Sequence, residues 1–284
     1  MKRIPFRVAL AVPVLGVSER SGWLVEGAAG WGECSPLPSW GDSARRAAEL
    51  AAVEASSVPF PEPLVDRVAV NAMVPRLEPD AAAQLAVGSG CATIKVKVGD
   101  ARGVDRVAAV RAATGPSTRI RVDANGAWDL DTALAELHRL EAYGVELAED
   151  PVPLLEDLTM LRRRSPVPVA AEMSVRTVDD AIRMRQLDAA DAVVLKPQRI
   201  GGVRAALAAA EEARVPAIAS SALETSVGLA AVVALAAALG AGPFAHGCGT
   251  ALLLASDITD DPLVPEHGWL RPRRVRPATA TVDA

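Results

Sequence analysis

From Ile94 to Glu149 the chain reads IKVKVGDARGVDRVAAVRAATGPSTRIRVDANGAWDLDTALAELHRLEAYGVELAE. Three short runs, IKVKV, RIRVD and VELAE, carry the β-branched and apolar residues of buried strands, and alanine- and leucine-rich stretches separate them. Strand and helix in alternation mark a parallel α/β fold. Each run ends on or beside an ionisable residue: Lys97, Asp123 and Glu149. Further on, PVAAE ends at Glu172, AVVLK at Lys196 and PAIAS at Ser220. The steps between these six positions are 26, 26, 23, 24 and 24 residues. So regular a step is the length of one βα unit. It places the six side chains at equivalent heights on consecutive strands, around the C-terminal mouth where barrel active sites lie.

Working outward, predicted strands span Val68–Ala72, Thr93–Val98, Arg119–Asp123, Val145–Glu149, Pro168–Glu172, Ala192–Lys196, Pro216–Ser220 and Pro243–His246. Predicted helices between them include Val104–Ala113, Leu130–Ala142, Val178–Gln186 and Val203–Ala213. Eight units favour a closed, TIM-like (β/α) barrel in modified form. An open doubly wound sheet is the alternative, but no glycine-rich phosphate fingerprint follows the first strand. Ahead of the barrel, Lys2–Val12 and Gly22–Glu26 read as strands, GAAGWGECSPLP as a glycine-rich connection, and Ser43–Val53 as a helix leading to the proline-rich VPFPEPLVD. These predict a small α+β capping domain over residues 1–66, a barrel over 67–261, and a C-terminal segment, 262–284, that returns to the capping domain.

Half of the 284 residues are hydrophobic, enough for a barrel core. Thirty basic against 35 acidic residues, with no basic stripe beyond the RPRRVRP cluster near the C-terminus, argue against nucleic acid as a partner. Three widely spaced cysteines, Cys34, Cys91 and Cys248, suggest no disulfide framework and a reducing cytoplasm. The opening MKRIPFRVALAVPV is broken by Pro5, Arg7 and Pro13 and reads as a strand, not a signal peptide. Val227–Leu239 is apolar but too short for a membrane span and reads as a buried helix.

Of the basic residues only four are lysine, Lys2, Lys95, Lys97 and Lys196, and the rest are arginine. Arginine serves wherever a surface charge suffices, but guanidinium stays charged where an amine must lose a proton. Three of the four lysines nevertheless lie at strand ends. By strand alternation Lys95 shares a face with Lys97, and Arg121 with Asp123. Asp123, Glu149 and Glu172 on adjacent strands would repel one another without a cation. Oxygen donors without clustered His or Cys predict a hard divalent ion, Mg²⁺ before Mn²⁺. Removing a proton alpha to a carboxylate needs such a charge beside the enediolate and an amine to take the proton. Burial, the metal and Lys95 would all favour a neutral Lys97.

The K-x-K of IKVKVGD, the Asp of RVDANGAWD, the Glu of LAEDP, the acid of AAEMS, the Lys of VVLKPQRIGG, and GWGECSPLPSW near the N-terminus together resemble the enolase superfamily, muconate-lactonising-enzyme subgroup. That resemblance covers most of the chain. It implies Asp123, Glu149 and Glu172 as metal ligands, Lys97 as the base, and Lys196 opposite it as a stabilising cation. It further implies that Lys95 and Arg121 lie in the substrate pocket, and that Ser220 and Ser221, with the backbone of Gly247–Gly249, receive the substrate's tail. The third ligand in the family is usually an Asp within D-E-S, whereas A-E-M-S stands here, which puts Glu172 at the Asp position.

The expected partner is a small-molecule carboxylate, with no nucleic acid, no membrane and a monomeric chain. Dehydration of a cyclic hydroxycarboxylate is the leading reading. Racemisation of an N-acylamino acid or epimerisation of a dipeptide stays open, because Lys97 and Lys196 could supply a base on each face. A non-catalytic barrel is the third reading, and the retained lysines speak against it. His246 is expected to be a hydrogen-bonded wall residue and His138 an exposed helical one. Trp31 and Trp40 should pack the capping domain, and Asn125 and Asp150 should support the ligands or turns beside them.

Overall fold

The computed structural model describes residues 2–14 and 16–282; Met1 and residues 283–284, at the outer ends of the expected capping and C-terminal segments, lie outside the described residues. Strands β1 (Arg3–Val14), β2 (Val17–Gly27) and β3 (Gly30–Cys34) form an antiparallel sheet in that order, followed by helix α1 (Asp42–Ser57). β1 alternates one buried residue with one exposed, placing Ile4, Phe6, Val8 and Leu10 on its inner face. β3 falls within the segment expected to be a glycine-rich connection. Gly32 is needed there because a Cβ would lie 2.0 Å from the Ala52 carbonyl oxygen of α1.

Next come β4 (Val68–Ala69), β5 (Asn71–Val74), α2 (Pro79–Gly88), β6 (Thr93–Lys97), α3 (Gly103–Thr114), β7 (Arg119–Asp123), α4 (Leu130–Glu141), β8 (Val145–Glu149) and α5 (Leu155–Arg162). They are followed by β9 (Val169–Ala171), α6 (Val178–Leu187), β10 (Ala192–Leu195), α7 (Pro197–Ile200), α8 (Val203–Ala213), β11 (Ala217–Ala219) and α9 (Ser226–Leu239). A 3₁₀ turn (Gly249–Leu253), β12 (Trp269–Leu270) and α10 (Thr279–Val282) complete the described elements.

β5 to β11 form one curled parallel sheet of seven strands in sequence order. The expected eighth strand, Pro243–His246, is not a regular strand. His246 instead bridges Val70 and Gly247 bridges Ser220, which joins the two edges of the sheet. The expected first strand also divides. Val68–Ala69 pairs antiparallel with Trp269–Leu270, and the barrel strand is Asn71–Val74. Helices α2 and α5 were not foreseen, whereas α8 has the expected bounds.

The helices form where capping and apolar spacing agree. α4 buries Ala133, Leu134, Leu137 and Leu140 on one face, and the Asp129 carboxylate accepts the Thr132 N–H at 2.8 Å. Outward-facing strand residues such as Ile94, Val96, Ile120, Val122 and Val193 pack with the helices in the main core. The inner face carries a smaller cluster, Leu147, Ala170, Ala192, Val194 and Ile218, with Phe244 against it. This apolar plug fills the lower barrel and leaves the upper layer to the charged residues. Among the described residues no helix is long and apolar enough to cross a membrane.

The segment after residue 262 touches both parts of the chain. β12 pairs with β4, and the Arg274 guanidinium lies over the Phe60 ring and donates to the Ala55 and Val58 carbonyls at the end of α1.

Candidate active site

Backbone register assembles the site. Lys97 is paired with Asp123, Asp123 with Glu149, and Glu149 with Ala170, so three of the six periodic residues form one row across β6, β7 and β8. Glu172 and Lys196 follow the ends of β9 and β10, and Ser220 the end of β11. Asp123, Glu149, Glu172, Lys95 and Lys97 are all buried, and the Lys196 side chain is 12% exposed.

Each carboxylate is engaged by a lysine. Lys97 Nζ donates to Asp123 Oδ2 at 2.5 Å and to Asn125 Oδ1 at 2.9 Å. Lys95 Nζ donates to both Glu149 oxygens, at 3.2 and 3.1 Å, and lies 3.4 Å from Asp123 Oδ2, so one ammonium bridges two acids. Lys196 Nζ donates to Glu172 Oε2 at 2.7 Å. Glu172 Oε1 is buried without a hydrogen bond, and its near cation is Arg199, at 3.5 Å. Asp150 accepts the backbone N–H groups of Glu172 and Met173 at 2.8 and 2.9 Å and so fixes the chain at the Glu172 position.

The three lysines are not electrostatically equivalent. Burial pulls Lys97 below the ordinary lysine pKa, opposed by Asp123 and reinforced by the neighbouring Lys95 ammonium. Burial also acts to lower Lys95, but Glu149 and Asp123 outweigh it and hold that amine above its ordinary value. The same balance, burial against Glu172 and Glu149, leaves Lys196 raised. Lys97 is the amine disposed to be neutral, and the other two remain cations. Among the acids, burial acts to raise all three. Lys97 and Lys95 nevertheless bring Asp123 well below the usual range, and Lys196 and Arg199 bring Glu172 down. Glu149 stays raised, because burial, reinforced by Asp123, outweighs Lys95.

A cavity of about 380 Å³ opens over this layer. Lys95, Lys97, Lys196 and Glu172 line it, with Ser220, Ser221 and Gly247 in the wall. Asp123 and Glu149 lie behind the lysines. The Ser221 hydroxyl is 2.5 Å from that of Thr250. Trp40 is buried in the capping domain as expected, but it also lines the cavity, with the Arg199 guanidinium 5.5 Å from its ring. His246 accepts the Ala219 N–H on Nδ1 at 3.1 Å and is a wall residue of the barrel, while His138 is exposed.

Arg121 is a correction. It faces inward as alternation requires but does not reach the cavity. Its guanidinium turns toward the N-terminal end of the strands, where Nε is 2.5 Å from Glu146 Oε1 and Nη1 donates to the Ala245 carbonyl at 2.7 Å. Alternation fixes the face of a strand and not the depth. Arg121 sits one inward layer below Asp123, on the apolar plug and 5.2 Å from the Phe244 ring.

Among the described residues no three His, Cys, Asp or Glu side chains are gathered tightly enough to hold an ion as they stand. The donor set nevertheless suits a hard cation. Three buried carboxylates end neighbouring strands, one ammonium already bridges two of them, and an oxygen of the third has no hydrogen bond.

Comparison with known proteins shows the family. The family described as Enolase C-terminal domain-like matches residues 79–277, and Enolase N-terminal domain-like matches residues 6–56. The chain belongs to the enolase superfamily. Within the superfamily it is 48% identical to the o-succinylbenzoate synthase of Thermobifida fusca, over 95% of this chain and 87% of that protein. It is 38% identical to that of Mycobacterium tuberculosis, over 99% of this chain and 86% of that protein. In fold it is similar to the Bacillus subtilis L-Ala-D/L-Glu epimerase (TM-score 0.85, 21% identity, 98% and 96% coverage). It is likewise similar to the Pseudomonas fluorescens muconate lactonizing enzyme (TM-score 0.86, 19% identity, 99% and 97% coverage).

Sequence reading missed several residues at or behind the cavity. Met73, Arg176, Arg199, Leu223 and Thr250 line it, and Glu33, Arg20 and Gln198 support its wall from behind. The glutamate of GWGEC and the glutamine of KPQRIGG stood in quoted motifs, but a motif does not reveal which residues its members will meet in space.

Proposed function

We propose that the chain is an o-succinylbenzoate synthase, dehydrating 2-succinyl-6-hydroxy-2,4-cyclohexadiene-1-carboxylate to o-succinylbenzoate in menaquinone biosynthesis. The observation that carries the mechanism is the meeting of Lys95, Lys97, Lys196 and Glu172 at one cavity, where burial and the Lys95 ammonium lower Lys97 while neighbouring carboxylates raise Lys95 and Lys196. Neutral Lys97 accepts the proton alpha to the ring carboxylate, and the C–H electrons move into the carboxylate as an enediolate. Lys196, held as a cation beside Glu172, stabilises the charge that develops. The electrons then return to form the ring double bond as the C–O bond breaks, and the protonated Lys97 gives its proton to the departing hydroxyl, which leaves as water. Because one lysine serves both steps, hydrogen and hydroxyl leave from one face.

Asp123, Glu149 and Glu172 would hold a divalent ion, Mg²⁺ or Mn²⁺, which supplies positive charge to the substrate carboxylate when bound. Lys95 would orient that carboxylate, and Ser220 and Ser221 would receive the succinyl tail. We read the chain as a monomer, and three free, buried cysteines fit a reducing cytoplasm. We also read the chain as a capping unit over 1–66, a barrel over 67–261 and a tail, 262–284, that returns to the capping unit.

The runner-up is an N-acylamino-acid racemase or dipeptide epimerase, favoured by the presence of both Lys97 and Lys196 at the cavity. It requires Lys196 to act as a base, and Glu172 works against that. Direct assay decides between them. The synthase reading expects aromatic product from the cyclohexadiene substrate at a kcat/KM well above that for any N-succinylamino acid or dipeptide, and the reverse order assigns the chain to the runner-up.

A further inference from the structure

Ser220, Ser221, Ala222 and Leu223 line the cavity, and the loop they belong to runs on through Thr225 directly into α9. Thr225, the residue before α9, makes no capping bond to the helix with its own side chain. The bonds come from β3 of the capping domain. Glu33 is buried, and its Oε1 accepts the Thr225 N–H at 3.2 Å while its Oε2 accepts the Gly228 N–H at 2.9 Å and the Thr225 hydroxyl. The Ser35 hydroxyl adds a fourth bond to Oε1 at 2.5 Å. Gly228 admits this approach only because it lacks a side chain, since a Cβ would lie 2.9 Å from Glu33 Cδ.

Neighbouring contacts serve the same join. Arg20, buried on β2, donates to the Leu223 carbonyl in the wall at 3.1 Å and to the Ser35 carbonyl. Gln198, two residues after Lys196, exchanges bonds with Ser35: Ser35 N–H donates to Gln198 Oε1 at 2.8 Å, and Gln198 Nε2 donates to the Ser35 hydroxyl at 3.2 Å. The capping domain thus grips the segments after β10 and β11, which carry Lys196 and the serine wall.

We propose that Glu33 is a positioning residue. By binding the first turn of α9 from the capping domain, it sets the backbone of Ser220–Thr225 and hence the shape of the substrate-facing wall. The consequence for turnover rests on the cavity being the active site proposed above; the consequence for the backbone does not.

The substitution Glu33→Gln tests this with almost no change of volume. Whichever way the amide is turned, its NH₂ meets one of two backbone N–H donors, Thr225 or Gly228, and leaves that donor buried and unpaired. Hydrogen exchange measured on the intact protein should rise about tenfold or more over residues 220–228 while α3 and α4 keep wild-type protection. In steady-state assay KM should rise about tenfold with kcat changed by less than about threefold, because Lys97 and Lys196 are untouched.

Thr225→Val, which removes one of the four bonds and leaves Glu33 in place, should shift both readouts the same way by less, and it decides the matter if Glu33→Gln does not fold. Unchanged exchange over 220–228, or exchange raised equally throughout the protein, overturns the proposal whatever reaction the chain catalyses. A fall in kcat at constant KM overturns it as well. Absence of synthase turnover in the wild type sinks the reaction reading alone and leaves the exchange result to judge Glu33.

Discussion

Lys97 Nζ lies 2.5 Å from Asp123 Oδ2, and the two residues are also backbone register partners across β6 and β7. The pairing that builds the sheet therefore also delivers the proposed base to the first proposed ligand. Lys97 remains below its ordinary pKa despite this partner, because burial and the Lys95 ammonium outweigh the attraction. A base so held is sensitive to any change that keeps its charge but removes its ability to become neutral.

Lys97→Arg keeps charge and approximate length but cannot accept a proton near neutral pH. Turnover should fall by at least about a thousandfold with the melting temperature nearly unchanged. Lys196→Arg should retain measurable dehydration, since that position needs only a cation. Near-wild-type rates in Lys97→Arg would show that another group is the base, and abolished dehydration in Lys196→Arg would give that lysine a proton-transfer role.

Metal removal is the second test. Dialysis against a chelator should abolish activity, and Mg²⁺ or Mn²⁺ should restore it, because Asp123, Glu149 and Glu172 end neighbouring strands and a Glu172 oxygen is left without a hydrogen bond. Titration calorimetry should show Mg²⁺ binding weakened at least about tenfold by Glu172→Ala. Full activity after exhaustive chelation would remove the metal from the mechanism.

The placement of Arg121 predicts a stability effect in place of a binding effect. Glu146→Ala leaves a buried guanidinium without its ion partner and should cost about 3 kcal/mol of unfolding free energy. Denaturant melts measure that loss, and KM of the folded protein should stay at the wild-type value. A raised KM would restore Arg121 to the substrate pocket.

Two buried groups give stability a pH dependence of opposite sign. Burial, helped by Arg121, lowers His246 to about 4, so its contribution is full above its unfolded value of 6.5 and is lost as pH falls through about 4. Protonation of Nδ1 would also remove the bond from the Ala219 N–H. Burial raises Glu33 to about 7, so its contribution is full below 4.5 and is lost as pH rises through about 7. Urea midpoints of wild type and His246→Asn should diverge most near neutral pH and converge toward pH 4, and a constant difference would show that His246 does not titrate in this window.

The sequence by itself determined most of the alternation of strands and helices, though not α2, α5 or the missing eighth strand, and it marked the ionisable residues at the strand ends. Period-two strands and a nearly constant βα step place Lys97, Asp123, Glu149, Glu172, Lys196 and Ser220 at equivalent heights, whatever the details of packing. The scarcity of lysine marked the amines, because chemistry that requires a neutral nitrogen cannot use arginine. Only the tertiary structure decided how deep each inward residue lies. Lys95 extends upward to Glu149 while its register partner Arg121 turns down to Glu146, although the alternation pattern treats the two alike. It also decided the join between the domains. Glu33 meets Thr225 and Gly228 across more than 190 positions of chain, and such partners are chosen by the docking of one folded surface on another, which no local pattern records.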